Sequence, residues 1–182
     1  MRPSRIIALA VGTQGLLILI AWLVSRALQL DISWGDPSRD IAIGLLAAFV
    51  LAATNYALLE HLPASWIVDG VRAVYHELLI PLFSRVSRPG LVLIGIAAGI
   101  GEEWFFRGVL QPIVGLAPAS VLFGLAHVGG SRMLPFGIWA TAMGFVLGGL
   151  AIGTGGLLAP IVAHAVYDIV ALEYIRRGVQ PE

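Results

Sequence analysis

Long uncharged runs, broken by short polar stretches, set the layout of this chain. Ile6 to Val24 is uncharged for nineteen residues. Arg2 and Arg5 precede it and Ser25-Arg26-Ala27 is a loose small-x-small site, a layout shared with signal peptides. The run exceeds their usual hydrophobic stretch of about 7–15 residues, so it reads as a retained first span. A polar loop holding Asp31, Gly35, Asp36, Pro37 and Asp40 leads to a second span from Ile41 to Leu59. Between Pro63 and Pro89 the pattern changes. Ile67, Val71, Val74, Tyr75, Leu78 and Leu82 recur at helical spacing among Asp69, Arg72, His76, Glu77, Arg85 and Arg88, which predicts an amphipathic helix at the interface or against the bundle. His61 and His76 belong there as interfacial side chains rather than ligands.

Leu91 to Gln111 forms a third span, expected to end at Pro112. Pro118 opens a short fourth helix that reaches His127 and closes at Gly129-Gly130. A fifth span runs from about Leu134 to Gly153 and a sixth from about Gly156 to Ile175. Gly95-xxx-Gly99, Gly144-xxx-Gly148 and Gly149-xxx-Gly153 are spaced for close helix packing. The prediction is an all-α, polytopic transmembrane helical bundle of about six spans plus the interfacial amphipathic helix. A single integral membrane domain is expected over residues 1–182.

Composition strengthens the membrane reading: 58% of residues are hydrophobic, 12% are charged and mean hydropathy is +0.90, whereas soluble domains carry about 25% charged residues. Cysteine is absent, which removes disulfides, thiolate nucleophiles and Cys-ligated metals. Zero net charge argues against a nucleic-acid surface. Every basic residue is Arg. With six spans and the N-terminus inside, eight arginines (2, 5, 72, 85, 88, 132, 176 and 177) fall on the cytoplasmic side against two (26 and 39) outside. That bias predicts both termini in the cytoplasm. The short chain and small loops point to a prokaryotic plasma membrane.

Against this apolar background, Gly101-Glu102-Glu103-Trp104-Phe105-Phe106-Arg107-Gly108 stands out. At ~1.5 Å per residue, Glu102 lies about 17 Å from Leu91, near the middle of a core roughly 30 Å thick. A charged residue there costs about 2.5–3.5 kcal/mol, and such residues mark a functional site by default. Glu103 and Arg107 are four apart and share a helix face, so they are read as a structural ion pair. Glu102 is turned ~100° away and has no basic residue three or four positions later, which leaves it as the spare carboxylate suited to general-base work.

His127, His164 and Asp168 complete the ionisable set within the spans. His164 and Asp168 share a face, so the carboxylate is placed to orient the imidazole. Pro160 should kink that helix and free a carbonyl nearby. Two chemistries remain open. The histidines and acids hold a zinc ion with an open position for water, or Glu102 deprotonates water directly while the histidines hold it or stabilise the oxyanion. Ser120 and Thr141 lie on nearby helices but have no base at helical spacing.

Glu102-Glu103-xxx-Arg107, Phe123-xxx-His127 and His164-xxx-Asp168 resemble the three motifs of the CAAX protease and bacteriocin-processing family (CPBP, or Abi) of intramembrane proteases, which includes the type II CAAX prenyl endopeptidase. The resemblance covers roughly residues 91–172, the expected protease core. It implies a polar catalytic cavity within the bundle, open toward the cytoplasmic side. Glu102 would activate water, His127 and His164 would be the motif histidines, and Asp168 would fill the last motif position, where the family carries Asn or Asp. Asn there can donate to an oxyanion and ionised Asp cannot, so Asp168 is expected to orient His164 or support a metal. Both metal-dependent and metal-free mechanisms are credited to the family. The metal-free route is favoured here, with zinc on His127, His164, Asp168 and Glu102 as the alternative.

The expected function is intramembrane endopeptidase activity, with a peptide or protein substrate bound to the membrane or close to it. A catalytically silent membrane binding or immunity protein of the same fold is the alternative, since fold does not fix function. A proton-coupled transporter ranks last because the halves of the chain show no repeat.

Overall fold

The computed structural model describes residues 2–178, and the remaining positions of the expected domain, residue 1 and residues 179–182, lie outside the described residues. Among the described residues all regular structure is helical. The elements are α1 (Pro3–Ala27), α2 (Pro37–Glu60), α3 (Trp66–Val74), α4 (Ile80–Phe83), α5 (Arg88–Glu103), α6 (Gln111–Val114), α7 (Leu116–Ala126), α8 (Leu134–Thr154) and α9 (Leu158–Arg177). A π-helical turn, Tyr75–Leu79, joins α3 to α4, and a longer π-helical stretch, Trp104–Leu110, joins α5 to α6. The latter makes Arg88–Val114 one continuous 27-residue rod.

Five helical stretches among the described residues are long and apolar enough to cross a bilayer: α1, α2, the rod Arg88–Val114, Ser131–Thr154 and α9. This is one fewer than the six expected. The difference is α7, whose 11 residues rise only ~16 Å, about half of a roughly 30 Å core. The rod also runs two residues past Pro112 and stops at Gly115, where φ is +87°. Proline is tolerated there because the preceding π-helical stretch has already broken the i→i−4 ladder that proline would have interrupted.

Local sequence explains where the helices begin. Asp36 caps α2 by accepting from the Ser38 and Arg39 amides, Ser65 caps α3 and Ser87 caps α5, with Pro37 and Pro89 in the first turns of α2 and α5. Arg72 ties α3 to the end of α2, donating to the carbonyls of Leu58, Leu59 and Leu62 at 2.8–3.1 Å. Those carbonyls have no partner within α2. The amphipathic stretch buries Val68, Val71, Val74 and Tyr75. Ile67 and Leu78, predicted on the same face, are exposed. The wider turn at Tyr75–Leu79 shifts the angular register from there on, which accounts for Leu78; Ile67 precedes that turn, in the first turn of α3, where its neighbour Val68 is buried instead. His61 and His76 are exposed.

At the centre α9 packs between α2 and α5, α1 lies along α5, and α7 and α8 form an antiparallel pair. Small residues allow the close approaches. A methyl added at Gly99 would meet Ala165 Cβ at 2.8 Å and the Ile161 carbonyl at 2.9 Å, and one at Gly144 would meet Ser120 at 3.1 Å. Gly149 and Gly153 have nothing within 4 Å. That third glycine pair therefore joins no helix contact; it is turned ~100° from Gly148, onto the free face of α8.

The loops gather at two ends. At one, Leu157 and Leu158 amides donate to the Ser33 and Trp34 carbonyls, and Arg39, paired with the buried Asp40, donates to the Thr154 carbonyl. At the other lie α3, α4, the Ser131–Met133 turn and an Arg88–Glu173 ion pair at 3.3 Å.

Candidate active site

A cavity of about 260 Å³ lies inside the bundle, and Glu102, His127, His164 and Asp168 all line it. Its apolar walls include Leu79 and Phe83, so it extends toward the end that carries α3 and α4. Each polar side chain comes from a different part of the chain. The end of α5 supplies the glutamates, the C-cap of α7 supplies His127, and one face of α9 supplies His164 and Asp168.

Glu103 is fully buried; its Oε1 is the hub of a polar network and its Oε2 is buried without a hydrogen-bond partner. Its Oε1 accepts from Arg107 Nη1 at 3.1 Å and from His164 Nδ1 at 2.7 Å. Arg107 continues to the Gly144 carbonyl at 3.2 Å and lies 4.4 Å above the ring of Phe123. Phe123, buried, also approaches the rings of His127 and His164 at 4.7 and 5.8 Å. One aromatic residue thus packs against the guanidinium and both imidazoles. The pairing of Glu103 with Arg107 matches their i,i+4 spacing. The bond from His164 corrects the expected role of Asp168: Asp168 Oδ2 is 3.6 Å from His164 Nε2, too far for a hydrogen bond. Glu103, reaching across from α5, is closer and fixes the ring.

Glu102 is placed differently. Oε1 accepts from Gln14 Nε2 of α1 at 2.7 Å. Oε2 is buried without a hydrogen-bond partner, 3.8 Å from His127 Nε2. On its other side, His127 Nδ1 is 2.7 Å from the Phe123 carbonyl. A carbonyl only accepts, so Nδ1 carries the proton, and Nε2 of the neutral ring presents its lone pair toward Glu102. Gln14 is the polar group that the sequence reading passed over. The available signal was a long amide side chain inside the uncharged run Ile6 to Val24; a polar group at such a depth requires a partner.

Donor spacing bears on the zinc alternative. Among the described residues no group of three or more His, Asp or Glu side chains is close enough together to hold a metal ion. Each histidine has its Nδ1 engaged, His127 with a carbonyl and His164 with Glu103, which leaves both Nε2 atoms open, as ligating histidines also have them. The four named residues line one cavity without converging on one point.

Comparison with known proteins fits this geometry. The sequence profile of the family described as type II CAAX prenyl endopeptidase Rce1-like matches residues 84–170, the span from just before α5 into α9. YpbD of Bacillus subtilis (strain 168), an uncharacterized protein, is 31% identical over 150 residues, covering 79% of this chain and 76% of its own length. The chain belongs to the Rce1-like family. No solved structure matches it. Family membership and five apolar helices make it an integral membrane protein and support an intramembrane protease of the CAAX type in general. All three motifs fall within the Rce1-like match, and Gln14 lies outside it.

Proposed function

We propose that the protein is an intramembrane endopeptidase in which Glu102 activates water for attack on a peptide carbonyl. The observation that carries this reading is the buried, unpartnered Oε2 of Glu102 facing His127 Nε2 across 3.8 Å at the cavity wall. In the proposed reaction a water hydrogen-bonds to both atoms, donating one hydrogen to each. Glu102 takes the proton, the resulting hydroxide bonds to the carbonyl carbon, and the carbon–nitrogen bond breaks as Glu102 returns the proton to the leaving amine. His164, whose Nδ1 donates to Glu103, acts in its doubly protonated form, flanked by the Glu103 and Asp168 carboxylates, and donates its Nε2–H on the cavity side to the developing oxyanion. Asp168 borders that nitrogen. Glu103, Arg107 and Phe123 hold the frame, and residues 91–172 are the protease core.

The proposed substrate is a membrane-bound or membrane-proximal peptide that reaches the cavity from the end carrying α3 and α4. That end, with both termini, is proposed to lie in the cytoplasm of a prokaryotic cell. The arginine bias supports the side, and α7 with the Ser131–Met133 turn, which lies against α3, brings the chain back to that end without a full-length crossing helix. The family is described by its likeness to a type II CAAX prenyl endopeptidase; the proposal for this chain stops at the peptide bond.

The test compares new peptide termini, by mass spectrometry, in membranes of cells expressing the wild-type chain or Glu102→Gln at matched folded levels. Termini present only with Glu102 are expected. Identical termini across growth conditions would overturn the protease reading in favour of a binding or immunity role.

A further inference from the structure

We propose that Gln14 is the positioning residue for Glu102, an assignment that rests on reading Glu102 as the water-activating base. Gln14 comes from α1, outside the family match, yet makes the direct hydrogen bond to the glutamate, Nε2 to Oε1 at 2.7 Å. Facing a carboxylate, an amide can bond only through its NH2 end. The bond holds one carboxylate oxygen and leaves the other, Oε2, aimed at His127. Without it, the carboxylate is free to rotate about its last bond and the orientation of its oxygens is no longer set.

The packing around this contact is made to admit it. Gly101 precedes Glu102, and a methyl there would sit 2.6 Å from Gln14 Oε1 and 3.0 Å from the Gln14 carbonyl. Glycine lets α1 come close enough for the amide to reach. A purely adhesive role for Gln14 fits poorly, because its own Oε1 is buried with no hydrogen-bond partner. An orphaned acceptor is costly, and an apolar side chain of the same length would join the helices without it. What the amide adds over such a side chain is the bond to Glu102.

The decisive variant is Gln14→Met in the full chain, which keeps length and volume and removes the donor. Its first readout needs no substrate: the infrared carboxylate stretch of Glu102, assigned by its absence in Glu102→Gln. That band is expected to move in Gln14→Met and in Gly101→Ala, and to stay in Thr13→Val, whose wild-type hydroxyl bonds the Leu9 carbonyl instead. The second readout is kinetic, on a peptide found by the comparison of termini. There kcat should fall about tenfold or more with KM within about twofold, since displacing a reacting group costs rate rather than binding. An unmoved band, or a loss of folded protein with kcat unchanged, would reduce Gln14 to helix packing and overturn the proposal. If no cleavage depends on Glu102, the protease reading fails by itself, and the band still decides whether Gln14 holds the carboxylate.

Discussion

Glu102 and Glu103 are neighbours in sequence and opposites in setting. Glu103 is 0% exposed, and its Oε1 is shared between a guanidinium and an imidazole. Glu102 is 13% exposed and held at one oxygen by a neutral amide; each glutamate leaves its second oxygen unpartnered, but Glu102 lines the cavity and Glu103 does not. A turn of ~100° about the helix axis separates them. One direction points into α8 and α9, the other toward α1 and the cavity. The comparison teaches that charge at membrane depth is divided by helix face into a part that holds helices together and a part left free to react. Neutralising the first should be felt in stability, and neutralising the second in chemistry.

The largest expected effect breaks the comparison on the reactive side. Glu102→Gln should lower cleavage by about 10²–10⁴-fold, the usual range for a lost acid–base group, with the folded yield unchanged; quantifying the Glu102-dependent termini measures it. On the structural side, Glu103→Gln leaves Arg107 buried without its carboxylate. A stability loss of about 3–5 kcal/mol is expected, read as a drop in thermal unfolding temperature and folded yield in detergent. Normal stability would remove the structural assignment. Adding Arg107→Gln sharpens the result: the double variant should cost less than the sum of the single ones, because the second change removes the charge that the first had stranded.

A smaller effect is expected from Gly99→Ala. Its methyl meets Ala165 at 2.8 Å and pushes α9, with His164, away from Glu103. Overpacking of this kind costs about 1–3 kcal/mol. Gly149→Ala, with nothing within 4 Å, should leave stability to unfolding unchanged or raise it by up to about 1 kcal/mol, the helix-propensity gain of alanine over glycine.

The sequence made legible what repeats or is costly. Uncharged runs located the long helices, and ionisable residues inside them located the cavity lining at Glu102, His127, His164 and Asp168. The i,i+4 spacing paired Glu103 with Arg107 because both lie on one helix. Contacts between helices were not legible in the same way. Nothing local indicates that Glu103 meets His164 sixty-one positions away, or that Gln14 meets Glu102 across eighty-eight. The spacing of Gly149 and Gly153 equals that of Gly95 and Gly99, yet only the latter pair faces a neighbour. In the stretch from Trp66 to Phe83, Leu78 was misassigned because the projection presumed an α-helical period through a π-helical turn, and Ile67, before that turn, because Val68 takes the buried position at the start of α3. Length alone separated α7 from the crossing helices.

The π-helical stretch Trp104–Leu110 has a consequence for insertions and deletions. Such a stretch amounts to one residue more than an α-helix of the same rise. Deleting one residue there lets the helix relax to α-helical winding and swings everything beyond it by ~100°. Both glutamates precede the swing, and the Glu103–His164 bond joins α5 to α9 directly. Gly115, α7 and His127 follow it. The expected phenotype of such a deletion is a protein still inserted and folded around α9 whose two catalytic partners, Glu102 and His127, no longer face each other. For the site, the length of those seven residues then matters more than the identity of most of them.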